Sequence, residues 1–270
     1  MYKNDNISKT QIEYIKNLKI RKQKILFSQI SILIILFLLW EISANIELID
    51  PFIFSSPSRM FLALIDMIKS GALWKHIGIT LYETVIGFLL GTFIGIFIAI
   101  IMWWNKFLSD VLEPYLVILN SLPKTALAPI LIVWIGNNMF SIITIALLTS
   151  VIVTLLSVYD GFMQVDGEKI KLIKTFGATK FQILKKVILP ASIPTMISAL
   201  KINIGLSYVG VIVGEFLVAK AGLGYLITYS SQTFKLDIVM LSIIILSLLA
   251  SVMYKIVSIL EKKIYKKINL

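Results

Sequence analysis

The sequence predicts an all-α, polytopic membrane protein with six transmembrane helices, and three observations carry that prediction. The 270 residues are 58% hydrophobic and only 15% charged, with a mean hydropathy of +0.90, which is more apolar surface than one soluble core could hide. The apolar residues gather into six stretches of the length that crosses a hydrocarbon core about 30 Å thick, which takes roughly 20 helical residues. The 26 Lys and Arg residues flank those stretches almost without exception, as membrane topology requires.

Taken in order, residues 1–24 form a basic N-terminal tail with Lys3, Lys9, Lys16, Lys19, Arg21, Lys22 and Lys24, followed by a first span over 25–45. The tail and apolar run resemble a signal peptide, but no A-x-A cleavage pattern follows, so an uncleaved first helix is expected. Residues 46–76 form an external segment. Within it, Ser-Pro-Ser at 56–58 precedes Met60, Phe61, Leu64, Ile65 and Ile68 at helical spacing, which predicts an amphipathic helix on the outer face. The membrane core then occupies 77–260, with spans over 77–103, 108–135, 138–159, 190–215 and 237–259. The third of the six is interrupted by Pro114, Pro123 and Pro129 and by Asn120, Ser121 and Lys124; broken helices at membrane depth are tolerated where they pack in protein or line a cavity. A basic tail, 261–270, closes the chain.

With a cytoplasmic N-terminus, the inner segments hold 19 basic residues and the outer segments five, with Lys124 and Lys201 inside spans. The positive-inside rule therefore places both termini and the long loop at 160–189 in the cytoplasm. The formal charge of +11 reflects this membrane orientation, and no nucleic-acid partner is expected, because the basic residues form no base-reading surface. Anionic lipid is the expected partner of the flanking lysines. Zero cysteines exclude disulfides and thiolate metal sites, and the single histidine, His76, leaves almost no basis for a zinc site. No cofactor or metal is expected in this chain.

The loop "VDGEKIKLIKTFGATKFQILKKVILP" is the most informative stretch. Ile170, Ile173 and Phe176 recur every three residues among Lys169, Lys171 and Lys174, predicting a short amphipathic helix capped by Asp166 and ended by Gly177. A second short helix should carry Phe181, Leu184 and Ile188 on one side, with Pro190 starting the fifth span. Read from these residues alone, the loop fits either a lysine-rich hairpin lying on lipid headgroups or a device that contacts a cytoplasmic partner.

Gly177, nine residues, Val187, one residue, then Leu189 and Pro190 resembles the EAA motif (E-A-A-x3-G-x9-I-x-L-P) of permease subunits of bacterial ABC importers. "SSPSRMFLALIDMIKSGALW", "LNSLPKTALAPILIVWIG" and "GEFLVAKAGLGYLI" look like corresponding stretches of the nitrate/sulfonate/taurine type. The resemblance implies a type I ABC importer permease (MetI-like) fold in the bacterial inner membrane. It further implies a homodimer, two ATPase subunits docked on the coupling loop, an extracytoplasmic solute-binding protein, and ATP with Mg bound by the partner ATPase. The coupling contacts it implies are Glu168, Lys171, Leu172, Ile173, Gly177, Ala178, Val187, Leu189 and Pro190. Lys171, Leu172 and Ile173 stand where the family has Glu-Ala-Ala; Glu168, one turn upstream, is the candidate replacement for the glutamate.

For the translocation path the candidates are Asn120, Ser121, Lys124 and Thr125 in the broken span and Asn203, Ser207, Tyr208 and Glu215 in the fifth. An ammonium within a span costs about 2.5 to 3.5 kcal/mol on insertion scales. Lys124 is therefore read either as an anion-attracting residue or as a lysine that snorkels or pairs with Glu83 or Glu215. Asn203, Ser207 and Tyr208 either line the path or hydrogen-bond across helices. Glu215 resembles part of the family's outer gate, or is an interfacial carboxylate. Lys201 is expected to snorkel or pair.

The resulting expectation is an importer permease for a small anion such as a sulfonate, taurine or nitrate; a vitamin precursor of the thiamine-pyrimidine or riboflavin kind is the alternative. An ion-coupled secondary transporter would share the broken helix, but it needs no long, basic, glycine-jointed cytoplasmic loop. An intramembrane serine protease built on Ser207 lacks a histidine within the spans. The Walker A sequence is absent, so ATP hydrolysis would belong to a partner and the chain itself is not expected to be an enzyme.

Overall fold

The computed structural model describes the backbone of residues 9–268 and the side chains of residues 13–266. Among the described residues every regular element is helical. The chain divides into two compact units, residues 1–63 and 64–270.

The first unit contains α1 (Lys9–Asn45), α2 (Pro51–Phe54) and the start of α3 (Pro57–Lys69). The predicted tail is thus helical from Lys9 onward, because "KTQIEYIKNLKIRKQK" is built of good helix formers with no Gly or Pro to stop it; Lys3 lies outside the described residues. Glu41 of α1 accepts the backbone N–H of Ser58 at 2.9 Å, tying the end of the first span to the start of α3. Of the predicted amphipathic face, Met60 is buried whereas Phe61 and Ile68 are exposed, and Met67 takes their place on the covered side.

The second unit is organised around α4 (Ala72–Trp104), α7 (Met139–Met163) and α10 (Leu189–Val218), with α12 (Leu236–Ile268) against α10. Small residues bring these helices together. A Cβ at Gly91 of α4 would stand 3.2 Å from the Cβ of Ser150 on α7, and one at Gly210 of α10 only 2.6 Å from the Cα of Ala146 on α7. Such close approach is how membrane helices gain packing where lipid supplies no hydrophobic drive. Lys201 of α10 pairs with Glu261 of α12 at 2.6 Å, the paired outcome of the two expected.

Among the described residues five helices are long and apolar enough to cross a membrane, and the remaining predicted span, the third in order, is a bent pair. It consists of α5 (Lys106–Ser121), a 3-10 turn (Lys124–Leu127) and α6 (Ala128–Ile135), bent by 86° at the break. Pro123 has no N–H to continue α5, and it holds Leu122 extended (φ −68°, ψ 136°).

Candidate functional site: the coupling loop and the polar core

The loop between α7 and α10 is specified residue by residue. Asp166 accepts the N–H of Glu168 at 2.9 Å and caps α8 (Gly167–Thr175). At the other end Gly177 takes φ 78°. Its N–H bonds the Lys174 carbonyl at 2.9 Å, and the Ala178 N–H bonds the Ile173 carbonyl at 3.3 Å, the Schellman pattern that closes a helix on a left-handed glycine. Thr179 and Gln182 then exchange backbone and side-chain bonds in a capping box that opens α9 (Lys180–Ile183). The predicted cap at Asp166 and stop at Gly177 stand where the sequence puts them, and the capping box is an addition from the structure.

Two expectations for this loop need correction. Pro190 does not begin a separate helix: the chain runs on from α9 through a π turn, Leu184–Ile188, into α10, with the Leu189 N–H bonded to the Leu184 carbonyl. A proline's missing donor leaves the carbonyl four residues back without its helical partner, and a π turn absorbs that irregularity without a break. The apolar face also differs. Ile170 and Ile173 pack, with Ala178 and Leu189, against a cluster formed by Phe162, Ile183, Leu184 and Ile188, but Phe176 is 81% exposed, beyond the last helical turn, and Phe181 is 60% exposed. Leu172, one turn before Phe176, is exposed as well, beside exposed Glu168 and Lys171. The loop therefore anchors one side to the membrane helices and presents Leu172, Phe176 and Phe181 to its surroundings. Lys180 adds a second anchor, donating to the Trp104 carbonyl at 2.5 Å with its ammonium 5.8 and 5.5 Å from the Trp103 and Trp104 rings.

The candidates in the bent pair lie together at its break. Lys124 donates to the carbonyl of Asn120 at 3.0 Å and to its Oδ1 at 3.2 Å, and Ser121 donates to the Val117 carbonyl. Lys124 is thus paired with neither Glu83 nor Glu215; it covers the open carbonyl end of α5, where a cation is favoured. Asn120, Ser121 and Thr125 are exposed and Lys124 half-buried.

Asn203, Ser207 and Tyr208 are elsewhere, buried where α10 meets its neighbours. Asn203 donates to Thr92 of α4 at 3.2 Å and also to Thr154 of α7, and Thr149 reaches the Leu206 carbonyl at 3.2 Å. These are cross-helix bonds. Glu215 is buried too, accepting from Thr80 of α4 at 2.6 Å and from the Gly224 N–H. The structure thus brings the eight path candidates into two separate groups. Missed by sequence reasoning was Thr80, which donates to Glu215 and accepts the Leu223 N–H at the start of α11 (Leu223–Gln232); the available signal was a carboxyl inside an apolar run that needs a donor.

With this architecture described, comparison with known proteins is decisive. Residues 91–268 match the model of the binding-protein-dependent transport system inner membrane component. The chain belongs to that family. Among its relatives, the formylaminopyrimidine transport permease ThiX of Halalkalibacterium halodurans is 32% identical over 80% of this chain and 86% of its own. The putative aliphatic sulfonates transport permease SsuC of Bacillus subtilis is 25% identical over 97% of this chain and 95% of its own. A chain of the MetNI methionine ABC transporter, solved in inward-facing form, superposes with TM-score 0.61 at 19% identity, covering 73% of this chain and 96% of that one. This protein is an ABC importer permease, a multi-pass inner membrane component with the MetI-like fold.

Proposed function

We propose that this permease carries a small solute into the cytoplasm, and that its coupling loop is the docking element for an ATPase subunit. The carrying observation is the exposed trio Leu172, Phe176 and Phe181 on a loop whose opposite side is anchored in the bundle. Apolar side chains projecting from a rigid, basic loop suit a protein cleft better than open water. Glu168 and Lys171 flank the trio and supply polar contacts at its rim. In this reading the permease is a homodimer with both termini and the loop at 160–189 in the cytoplasm. ATP and Mg belong to the ATPase, and an external binding protein delivers the solute. ATP-driven closure of the ATPases moves the loops, which are too well tied to bend, and so tilts α7 and α10.

The proposed solute is an anion of the sulfonate, taurine or nitrate kind, supported by the half-buried ammonium of Lys124 at the bend and by likeness to a sulfonate permease. A second reading, a pyrimidine-type vitamin precursor, is supported by the 32% identity to a formylaminopyrimidine permease. The test is uptake of labelled taurine and of formylaminopyrimidine by the complete transporter with its cognate binding protein, for wild type, Lys124→Met and Lys124→Arg. The anion reading expects taurine uptake, strongly depressed by Met and partly kept by Arg. Uptake of the pyrimidine alone, unaffected by Met, leaves Lys124 as a helix cap and selects the second reading.

A further inference from the structure

Between the coupling loop and the end of α4 lies a cavity of ≈530 Å³, lined by Trp103 of α4, Ile170 and Lys174 of α8, Gly177, and Lys180 and Ile183 of α9. That volume falls within the about 300 to 1,000 Å³ of small-ligand sites. Both charged residues that line it are lysines. A second cavity of ≈530 Å³ shares Trp103 but sets Lys106 against Asp110, Glu113 and Asp160. The two differ in sign, and the first is the one that suits an anion.

The two lysines are held differently. Lys180 donates to the Trp104 carbonyl at 2.5 Å and lies 5.8 and 5.5 Å from the Trp103 and Trp104 ring centroids, which fixes its ammonium at the last turn of α4. An ammonium has three donors, so others are left for a second acceptor. The Lys174 ammonium is exposed and has no hydrogen-bond or ion-pair partner among the described residues. Gly177 adds no side chain to the cavity, and a Cβ there would meet nothing within 4 Å, so that side stays open.

The place of the cavity along the bundle identifies the kind of anion. Trp103 and Trp104 end the apolar span Ala72–Trp104, and tryptophans at span ends lie at the depth of lipid headgroups. Lys180, bonded to Trp104, lies at that depth too. Above it, Phe93, Phe97, Ile101 and Trp104 of α4 are all exposed, and residues three and four apart share one face of a helix. They form an apolar track that ends at Lys180. A soluble anion would use the lysines alone, whereas a phospholipid uses the lysines with its phosphate and the track with an acyl chain.

We propose that this cavity binds an anionic phospholipid, its phosphate held by Lys174 and Lys180 and an acyl chain laid along Phe93, Phe97 and Ile101. Basic pockets between membrane helices on the cytoplasmic side bind phosphate headgroups, and in the orientation proposed above this one opens on the inner leaflet. A lipid bound there joins α8, through Lys174, to α9 and the end of α4, through Lys180 and its bond to Trp104. It thereby reinforces the seam between the loop and the bundle. The site needs neither an ATPase nor a solute, so its test is independent of the docking reading.

Native mass spectrometry of the full-length permease, purified in detergent and stripped of lipid, tests this with phosphatidylglycerol, phosphatidylcholine and inorganic phosphate as probes. The wild type should retain phosphatidylglycerol in preference to phosphatidylcholine. Lys174→Gln and Lys180→Gln should each weaken that binding about fivefold, the weight of one cation at an anionic surface, and the double variant should lose the preference. Lys169→Gln, on α8 but outside the cavity, should bind as the wild type does, and excess inorganic phosphate should not displace the lipid. Equal retention of the two lipids, undiminished binding in the Lys174 and Lys180 variants, or equal weakening by Lys169→Gln overturns the site and leaves a diffuse attraction to lysines. Displacement of phosphatidylglycerol by phosphate overturns the lipid and assigns a soluble anion. If Lys180→Gln fails to fold for want of its Trp104 anchor, Lys174→Gln decides alone, because that ammonium holds nothing among the described residues.

Discussion

Gly177 and Gly210 are both indispensable glycines, but for different physical reasons, and the difference predicts different failures. A side chain at Gly177 meets nothing within 4 Å, yet φ there is 78°. Gly177→Ala should therefore cost about 1 to 2 kcal/mol of local backbone strain and leave the bundle intact. Its expected signature is normal thermal stability of the purified permease with faster amide exchange across 173–178. At Gly210 the backbone is helical and the obstacle is the Cα of Ala146, 2.6 Å from an added Cβ. Gly210→Ala must push α10 off α7, an overpacking cost of about 1 to 3 kcal/mol, and should lower the melting temperature of the whole protein. Equal melting temperatures for the two variants would contradict this distinction. The turn glycine was legible in the sequence because turn chemistry is local, whereas the crowding at Gly210 depends on which helix lies opposite, and a single sequence does not record that. The same limit explains Thr80 and Glu215, 135 residues apart in the sequence, whose hydrogen bond exists only once α4 and α10 are side by side.

At the scale of elements, the coupling loop was the most legible part and the broken span the least. Asp166 and Gly177 act on backbone groups two to five residues away, so a cap or a stop can be read from types and spacing alone. The π turn could not be read this way. It arises because α10 is held in register with α4 and α7 by buried residues such as Ile188 and Ala199, so the helix accommodates Pro190 by widening and not by breaking. The bend of 86° between α5 and α6 was legible as a break through Pro123, but not as a near right-angle turn. Thr179→Ala removes one half of the capping box and should cost about 1 kcal/mol, seen as loss of amide protection at Phe181 and Gln182. Unchanged protection would mean that packing of Ile183 and Leu184, and not the cap, holds α9.

For the whole molecule, composition was enough to establish the membrane class, since no soluble arrangement could cover so apolar a chain. The charge asymmetry adds an expected orientation, which labelling can test. With no native cysteine, single cysteines can be placed freely. Impermeant thiol reagent added outside intact cells should label Phe61→Cys and Gln232→Cys, both exposed positions, and should reach Lys169→Cys only after the membrane is opened. External labelling at 169 would reverse the topology and remove the loop from the compartment where ATP is found. What composition could not supply is the solute, because the residues that would select it are divided between the bend at Lys124 and a polar core closed by cross-helix bonds.

The proposed function requires that the loop between α7 and α10 meet an ATPase. The most direct measurement is cross-linking in the assembled transporter between Leu172→Cys or Phe176→Cys and cysteines placed in the cleft of the ATPase subunit encoded with this permease. Both positions should cross-link, with Asp110→Cys, on α5 outside the loop, serving as the unreactive control. Efficient cross-linking confined to the loop is the predicted result; an assembled complex in which neither position cross-links, or in which the control reacts equally well, would contradict it.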